Sequence, residues 1–436
     1  MRARGTGRAD PGPAPIHEWN GRRAPRPAVA VLDETLRDGI QSPSVRNPSI
    51  EQKLELLHLM EACGVQYVNV GLPGAGAAAL ADCLRLVQEI RNQALALRPC
   101  CAARTHPDDV RAALEVAQRA GHPVEVCTFL GCSPVRRLVE GWDLDRLETT
   151  AVRAIEMAVR EGASVSFVTE DTTRTDPQTL ERLYTRALEA GARRLILTDT
   201  VGHATPRGLR RLLRWLRRLL ARLGVQVGLD WHGHNDRGLA LALALQAAEE
   251  GVDRVHGTCL GVGERSGNAS LDLLLVNLSL DGRASRDLRP LRAYVEAVSR
   301  HYGVPIPPNY PVFGRDAFRT ATGVHAAAIV KALQAGRPDL ADQVYSSVPA
   351  SALDRHQEIE VGYYSGRANI RHWLSQHGLE PTPERLGALW ELAKASRTTL
   401  TEGEILEFLA GQGLLTPGSP WQAKMPPPCS SKPDRP

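Results

Sequence analysis

Residues 225–251 read VQVGLDWHGHNDRGLALALALQAAEEG. Residues 225–233 are a short, largely apolar run. A polar stretch through Gly238 follows, and apolar residues then return at helical spacing until Gly251 closes the segment. That order is one strand, one polar loop and one helix, the unit from which parallel α/β sheets are built. Working outward, the unit recurs. The runs AVAVLDE, YVNVGL, PCCAA, VEVCTF, SVSFVTE, RLILTDT and RVHGTC alternate with helical stretches such as SIEQKLELLHLMEACG and TPRGLRRLLRWLRRLLARLG. Eight such units between residues 29 and 285 match the size and rhythm of a (β/α)8 TIM barrel. A doubly wound open sheet is the alternative, but no Gly-rich phosphate turn follows the first strand.

The remaining segments divide as follows. Residues 1–28, rich in Arg, Pro and Gly with no apolar period, are expected to be a disordered tail, and 413–436 another. PIPPNYPVFGRDAF marks a linker inside 286–412, which reads otherwise as a smaller, mainly helical C-terminal region. At 436 residues and 43% hydrophobic the chain can bury a large core, and a net charge of +4 gives no footprint for nucleic acid or membrane. No apolar run reaches the roughly 18 residues of a membrane span. The eight cysteines form no CxxC pair, which predicts reduced thiols in a cytoplasmic protein.

Barrel active sites lie at the C-terminal ends of the strands, so chemistry is expected to follow each apolar run. Asp33, Glu34, Arg37 and Asp38 follow the first, Glu170 and Asp171 the fifth, and Asp199 and Thr200 the sixth. His232 and His234 follow the seventh, and GVGERSGN at 261–268 the eighth. Two histidines at i and i+2 on an extended segment project to one side, so both can reach one ion. Asp38, from the strand that neighbours the eighth in a closed barrel, and the Asn268 carbonyl complete a set suited to Zn²⁺, Mn²⁺ or Mg²⁺. Plainer readings stand beside these. The HxH triplet can be surface polarity, Asp38-Gly39 a turn, and Glu170-Asp171 the approach to a helix start at Asp176-Pro177.

Taken in order, LDETLRDGIQSP, TEDTTRTD, LTDTVGHATP, HGHNDRGLALALALQA, GTCLGVGERSGNASL and FRTATGVHAAAIVKA resemble the isopropylmalate and homocitrate synthases over about residues 29–375. These are metal-dependent barrel enzymes that condense acetyl-CoA with a 2-oxo acid. The resemblance implies that Asp38, His232, His234 and Asn268 are the metal ligands, and that Arg37 neutralises oxygen charge on the bound oxo acid. It further implies that Glu170 lies near the acetyl group and that Thr200 contacts the substrate carboxylate. His325, and Tyr345 with it, correspond to residues that a partner subunit supplies in that family, which implies a homodimer. On an amphipathic helix His325 would otherwise be an ordinary packed histidine. Ile40 stands where these synthases commonly have glutamate, as in the related hydroxymethylglutaryl-CoA lyases, yet the lyases' cysteine in the loop after strand eight is absent. A metal-bearing barrel without turnover is the non-enzymatic alternative. Leucine-regulated synthases carry a further regulatory domain, for which no room is expected here. In homocitrate synthases an Arg on strand five and a His after strand two serve the distal carboxylate. Ser166 and Leu72 align with those places and imply a short, uncharged side chain, 2-oxoisovalerate first.

Overall fold

The computed structural model describes residues 16–17, 19–20, 28–283 and 286–415. The tails expected at 1–28 and 413–436 lie almost wholly outside the described residues. The chain divides into two compact units, one ending at Ile306 and one beginning at Pro307.

The first unit is a closed barrel of eight parallel strands in sequential order. The strands are β1 (Ala30–Asp33), β2 (Tyr67–Gly71), β3 (Arg98–Arg104), β4 (Glu125–Gly131), β5 (Val165–Glu170), β6 (Arg194–Asp199), β7 (Gly228–Gly233) and β8 (Arg254–Gly257). Each of the eight apolar runs is therefore a strand. Closure comes from β1 pairing with β8, Ala30 opposite Arg254 and Asp33 opposite Gly257. The helices outside are α1 (Ile50–Ala62), α2 (Ala77–Asn92), α3 (Pro107–Ala120), α4 (Pro134–Glu140), α5 (Leu144–Arg160), α6 (Pro177–Glu189), α7 (Pro206–Leu223), α8 (Ala240–Glu249), α9 (Leu271–Leu280) and α10 (Pro290–Tyr302). Helix α10 packs on α1, so the barrel unit continues past residue 285.

Local chemistry explains the helix ends. The Asp176 carboxylate accepts from Thr179 N at 2.9 Å and Pro177 opens α6, the start anticipated from sequence. Helix α7 buries Leu209, Leu213, Leu216 and Leu220 and turns Arg207, Arg211, Arg214 and Arg218 outward, then ends at Gly224 with φ +67°, a conformation that favours glycine.

The barrel interior is layered. Tyr67, Glu125, Arg194 and Arg254 open their strands and form a floor. Leu32, Cys100, Cys127 and Ile196 pack above them with Val168. The described cysteines are all buried and unpaired.

The second unit carries a parallel pair, β9 (Arg319–Thr320) with β10 (Glu358–Ile359), and α11 (Gly323–Gln334), α12 (Pro338–Gln343), α13 (Arg367–Gln376), α14 (Pro383–Ala395) and α15 (Glu402–Gly411). Val361, Ile370, Leu374, Leu389, Ile405 and Leu409 form its core. Among the described residues no helix is long and apolar enough to cross a membrane.

Candidate functional site

A cavity of about 300 Å³ opens at the C-terminal ends of the barrel strands. Arg37, Asp38, Leu72, Glu170, Thr200, His232 and His234 all line it, so five separate strand ends deliver residues singled out from sequence to one place.

The centre is a convergence of donor atoms. His232 and His234 are two apart on an extended segment, and their Nε2 atoms lie 3.4 Å from each other. Asp38 Oδ2 is 3.3 Å from the first and 3.6 Å from the second. Asp38 reaches them because β1 closes against β8. Its Oδ1 faces Glu264 N at 3.4 Å in the glycine-rich loop. Asn268 bridges backbone to His234 and stands beside Asp38: a Cβ built on Gly263 would clash with Asn268 Nδ2 and meet Asp38 Oδ1 at 3.0 Å. Asn268 Oδ1 and His234 Nδ1 are both buried without a hydrogen-bond partner. A buried orphan acceptor costs about 1–3 kcal/mol, and a ligand that takes its lone pair removes that cost. The ligating atoms of Asp38, His232 and His234 all lie within 4.8 Å of one another, close enough to hold one cation. Glu34, His232 and His256 form a second such group, but Glu34 and His256 already have other partners.

Burial opposes charge on Asp38, but Arg37 and His232 beside it prevail and hold its carboxyl well below the usual carboxylate range. Burial pushes His234 down to about 4, so its imidazole is neutral, the state a metal ligand needs. Arg37 is anchored, with Nε donating to Glu34 Oε2 at 2.8 Å and its terminal nitrogen to Asp38 Oδ2 at 3.1 Å. Burial raises the Glu170 carboxyl above its ordinary value despite Arg136 nearby. Thr200 Oγ1 accepts from Asp171 N at 2.8 Å, which leaves its own proton for Thr198 Oγ1 at 3.1 Å or for a ligand. Asp171 adopts φ +65°, a strained position for a side-chain-bearing residue, at the end of β5.

Ser166 corrects an expectation. It does not border this cavity. Its hydroxyl donates to Glu125 Oε1 at 2.5 Å near the floor, and Val168, two residues on, takes the place at the wall. His325 and Tyr345 belong to the second unit, where their rings stack 3.9 Å apart and both are exposed.

Sequence reading missed several residues of the wall. His256 joins it from β8, and Asn69, Phe129, Ile196 and Arg265 also contribute. For His256 the available signal was alternation, since Arg254 and His256 share the inward face of RVHG.

The HMGL-like family model matches residues 28–297. Homocitrate synthase AksA of Methanopyrus kandleri is 31% identical over 87% of this chain and 91% of its own length. The probable 2-isopropylmalate synthase of the same organism is 32% identical over 82% of this chain and 68% of that one. The HMG-CoA lyase of Bacillus subtilis superposes with a TM-score of 0.54 at 21% identity, covering 65% of this chain and 97% of that one, a likeness of fold.

Proposed function

The chain belongs to the HMGL-like family, and from that premise we propose that it condenses acetyl-CoA with an uncharged, short-chain 2-oxo acid, 2-oxoisovalerate first, and that water then hydrolyses the resulting thioester, giving a 2-alkylmalate and coenzyme A. The observation that carries the reading is the set Asp38, His232 and His234, which line one cavity beside an anchored arginine, with Asn268, whose Oδ1 is orphaned, next to Asp38. The relatives named homocitrate, 2-isopropylmalate and citramalate synthase support it.

In this reading those four residues would hold a divalent ion, Zn²⁺, Mn²⁺ or Mg²⁺. When bound, such an ion supplies Lewis-acid polarisation of a carbonyl. Arg37 places a permanent charge where the oxo acid's oxygen becomes negative, and its two carboxylate anchors save it from reorganising at that moment. Thr200 offers its proton to the oxo acid's carboxylate. Glu170, whose carboxyl holds its proton more tightly than usual, lies where a group handling the acetyl oxygen would work. The base that removes the methyl proton is His325, steadied by the Tyr345 ring and contributed by a second subunit. The exposure of both side chains supports that role.

Selection of an uncharged side chain rests on the wall. Leu72, Ala102, Phe129, Val168 and Ile196 are apolar. The nearby arginines are engaged: Arg265 with Asp236 at 2.9 Å, Arg104 with Asp109 at 2.7 Å, and Arg174 with Asp171 at 2.6 Å. A second substrate carboxylate buried there without a cation costs several kcal/mol.

The test is thiol release from acetyl-CoA with pyruvate, 2-oxobutyrate, 2-oxoisovalerate and 2-oxoglutarate in parallel. The uncharged acids are expected to lead. A catalytic efficiency for 2-oxoglutarate equal to that for 2-oxoisovalerate would replace this reading with a homocitrate-type one. Cleavage of hydroxymethylglutaryl-CoA without any condensation would replace it with a lyase.

A further inference from the structure

Helix α7 carries seven arginines among its 18 residues, with no lysine and no acidic residue. Its buried residues are leucines. Of its exposed residues, only Pro206, Gly208 and Ala221 are not arginine. The net charge of +4, which gave no footprint for nucleic acid, averages this segregated surface over the whole chain and so conceals it.

Four of these arginines form one row. Arg207, Arg211, Arg214 and Arg218 are all exposed, and helical geometry sets them within about 60° of arc along about 16 Å of axis. None of the four pairs with a carboxylate or donates to a carbonyl among the described residues. The arginines beside the row behave differently. Arg210 takes the Glu250 carboxylate at 2.8 Å, Arg217 donates to the Glu250 carbonyl, and Arg222 takes Glu181. Glu181 of α6 and Glu250 at the end of α8 are therefore engaged next to the row and not by it. Residues 1–27 and 416–436 offer it no surplus of negative charge, since Arg and Lys outnumber Asp and Glu in both segments.

We propose that the outer face of α7 binds the phosphodiester backbone of nucleic acid without reading its sequence. This goes beyond the condensation reading and does not depend on it. Like charges held in a row repel one another, and a chain of phosphates relieves that by offering repeated oxygens that each guanidinium takes in a two-pronged geometry. Affinity then comes from release of the counterions condensed on the phosphates. Two other partners fit this face less well. A helix that lies on a membrane buries its apolar side among the lipid headgroups, and the leucines of α7 are already buried within the protein. A protein partner needs an apolar centre to its interface, which a face of arginines lacks, and isolated surface ion pairs add little.

The test is fluorescence anisotropy of labelled single-stranded RNA, single-stranded DNA and duplex DNA of mixed sequence, titrated with the full chain at several salt concentrations. Wild type is expected to bind with Kd of roughly 10⁻⁴–10⁻⁶ M at physiological salt. Four neutralised phosphates give log affinity a slope against log salt of about −2.8 on a single strand or about −3.6 on a duplex. Binding to any of the three supports the assignment, and their order says which form the row takes. An Arg211→Gln/Arg214→Gln variant should halve the slope and weaken binding about tenfold, with its circular dichroism unchanged. Arg211→Lys/Arg214→Lys should keep the slope, because the charge stays. An Arg153→Gln/Arg397→Gln variant removes the same charge from exposed positions elsewhere and should bind as wild type does. No binding by wild type at low salt, an unchanged slope in the glutamine variant of the row, or an equal loss in the variant at 153 and 397 would overturn the assignment. Binding to phosphatidylserine vesicles or to polyglutamate, with none to nucleic acid, would overturn it in favour of a membrane surface or an acidic protein.

Discussion

Two charged clusters occupy the interior of one barrel, at opposite ends of its strands, and they follow opposite rules. On the floor every charge is answered. Arg254 donates to Asp230 Oδ2 at 2.6 Å and to both oxygens of Glu125 at 2.7 and 3.1 Å, Arg194 reaches Asp230 Oδ1 at 2.5 Å, and His256 reaches Asp230 Oδ2 at 3.0 Å. Ser166 fills another lone pair of Glu125, and the Arg254 guanidinium lies 4.4 Å over the Tyr67 ring. At the mouth, Asp38, His232 and His234 turn ligating atoms toward one another, and Asn268 Oδ1 has no partner. The difference teaches how to separate a structural ionic network from a binding site. Both are buried and polar, but at the mouth several ligating atoms converge beside the orphaned Asn268 Oδ1, whereas the orphan that reaches the floor, His256 Nδ1, faces the Glu34 carboxylate at 3.3 Å.

The largest effect expected from breaking this contrast is at the mouth. A His232→Ala/His234→Ala double variant should lose bound divalent metal and more than about 10³ of turnover, yet keep its circular dichroism and urea midpoint, because it removes ligands and not packing. Wild-type metal content in that variant would refute the ligand assignment. The floor should respond in the reverse sense. Arg254→Ala strands two buried carboxylates and should cost about 3–5 kcal/mol in urea unfolding, with metal content per folded molecule unchanged.

A smaller effect follows from acid. Burial opposes charge on Glu125 and on Asp230, but Arg254 prevails in both and holds each carboxyl below its ordinary value. Such groups add stability that is fully present above their unfolded values, 4.5 for Glu125, and is lost as pH falls through the folded ones. The urea midpoint should therefore drop as pH falls below 4.5, and Glu125→Gln should flatten that slope, which unfolding curves across pH will read. The smallest effect is expected at Ser166. Its replacement by Ala should cost about 1 kcal/mol and leave the ratio of efficiencies among 2-oxo acids unchanged. Val168→Ser, at the cavity wall, should change that ratio. A shift in substrate preference in the Ser166 variant would show that the cavity extends deeper than its walls indicate.

Much of this was readable in one dimension. Strands and helices follow from local period, and the Asp176-Pro177 helix start from local capping chemistry. The rule that barrel chemistry follows each strand was enough to pick out Asp38, His232, His234 and Thr200 as candidates for the mouth. Ser166 and His256 were beyond that rule for a shared reason. Residues i and i+2 on a strand face the same way, so alternation says that Ser166 and Val168 both point inward but not how deep each lies. Depth depends on the stagger between neighbouring strands, which places Ser166 opposite Cys127 and Arg194, near the floor, and Val168 opposite Phe129 and Ile196, at the wall.

By itself, then, the sequence determined the alternation of strand and helix and the inventory of reactive groups at strand ends, since both depend on near neighbours in the chain. The tertiary structure alone decided which of those groups meet. Closure of β1 on β8 carries Asp38 to the loop that holds Asn268, and strand stagger sorts inward residues into a satisfied floor and an unsatisfied mouth. Both are properties of pairing between segments far apart in sequence, where no local pattern carries the information.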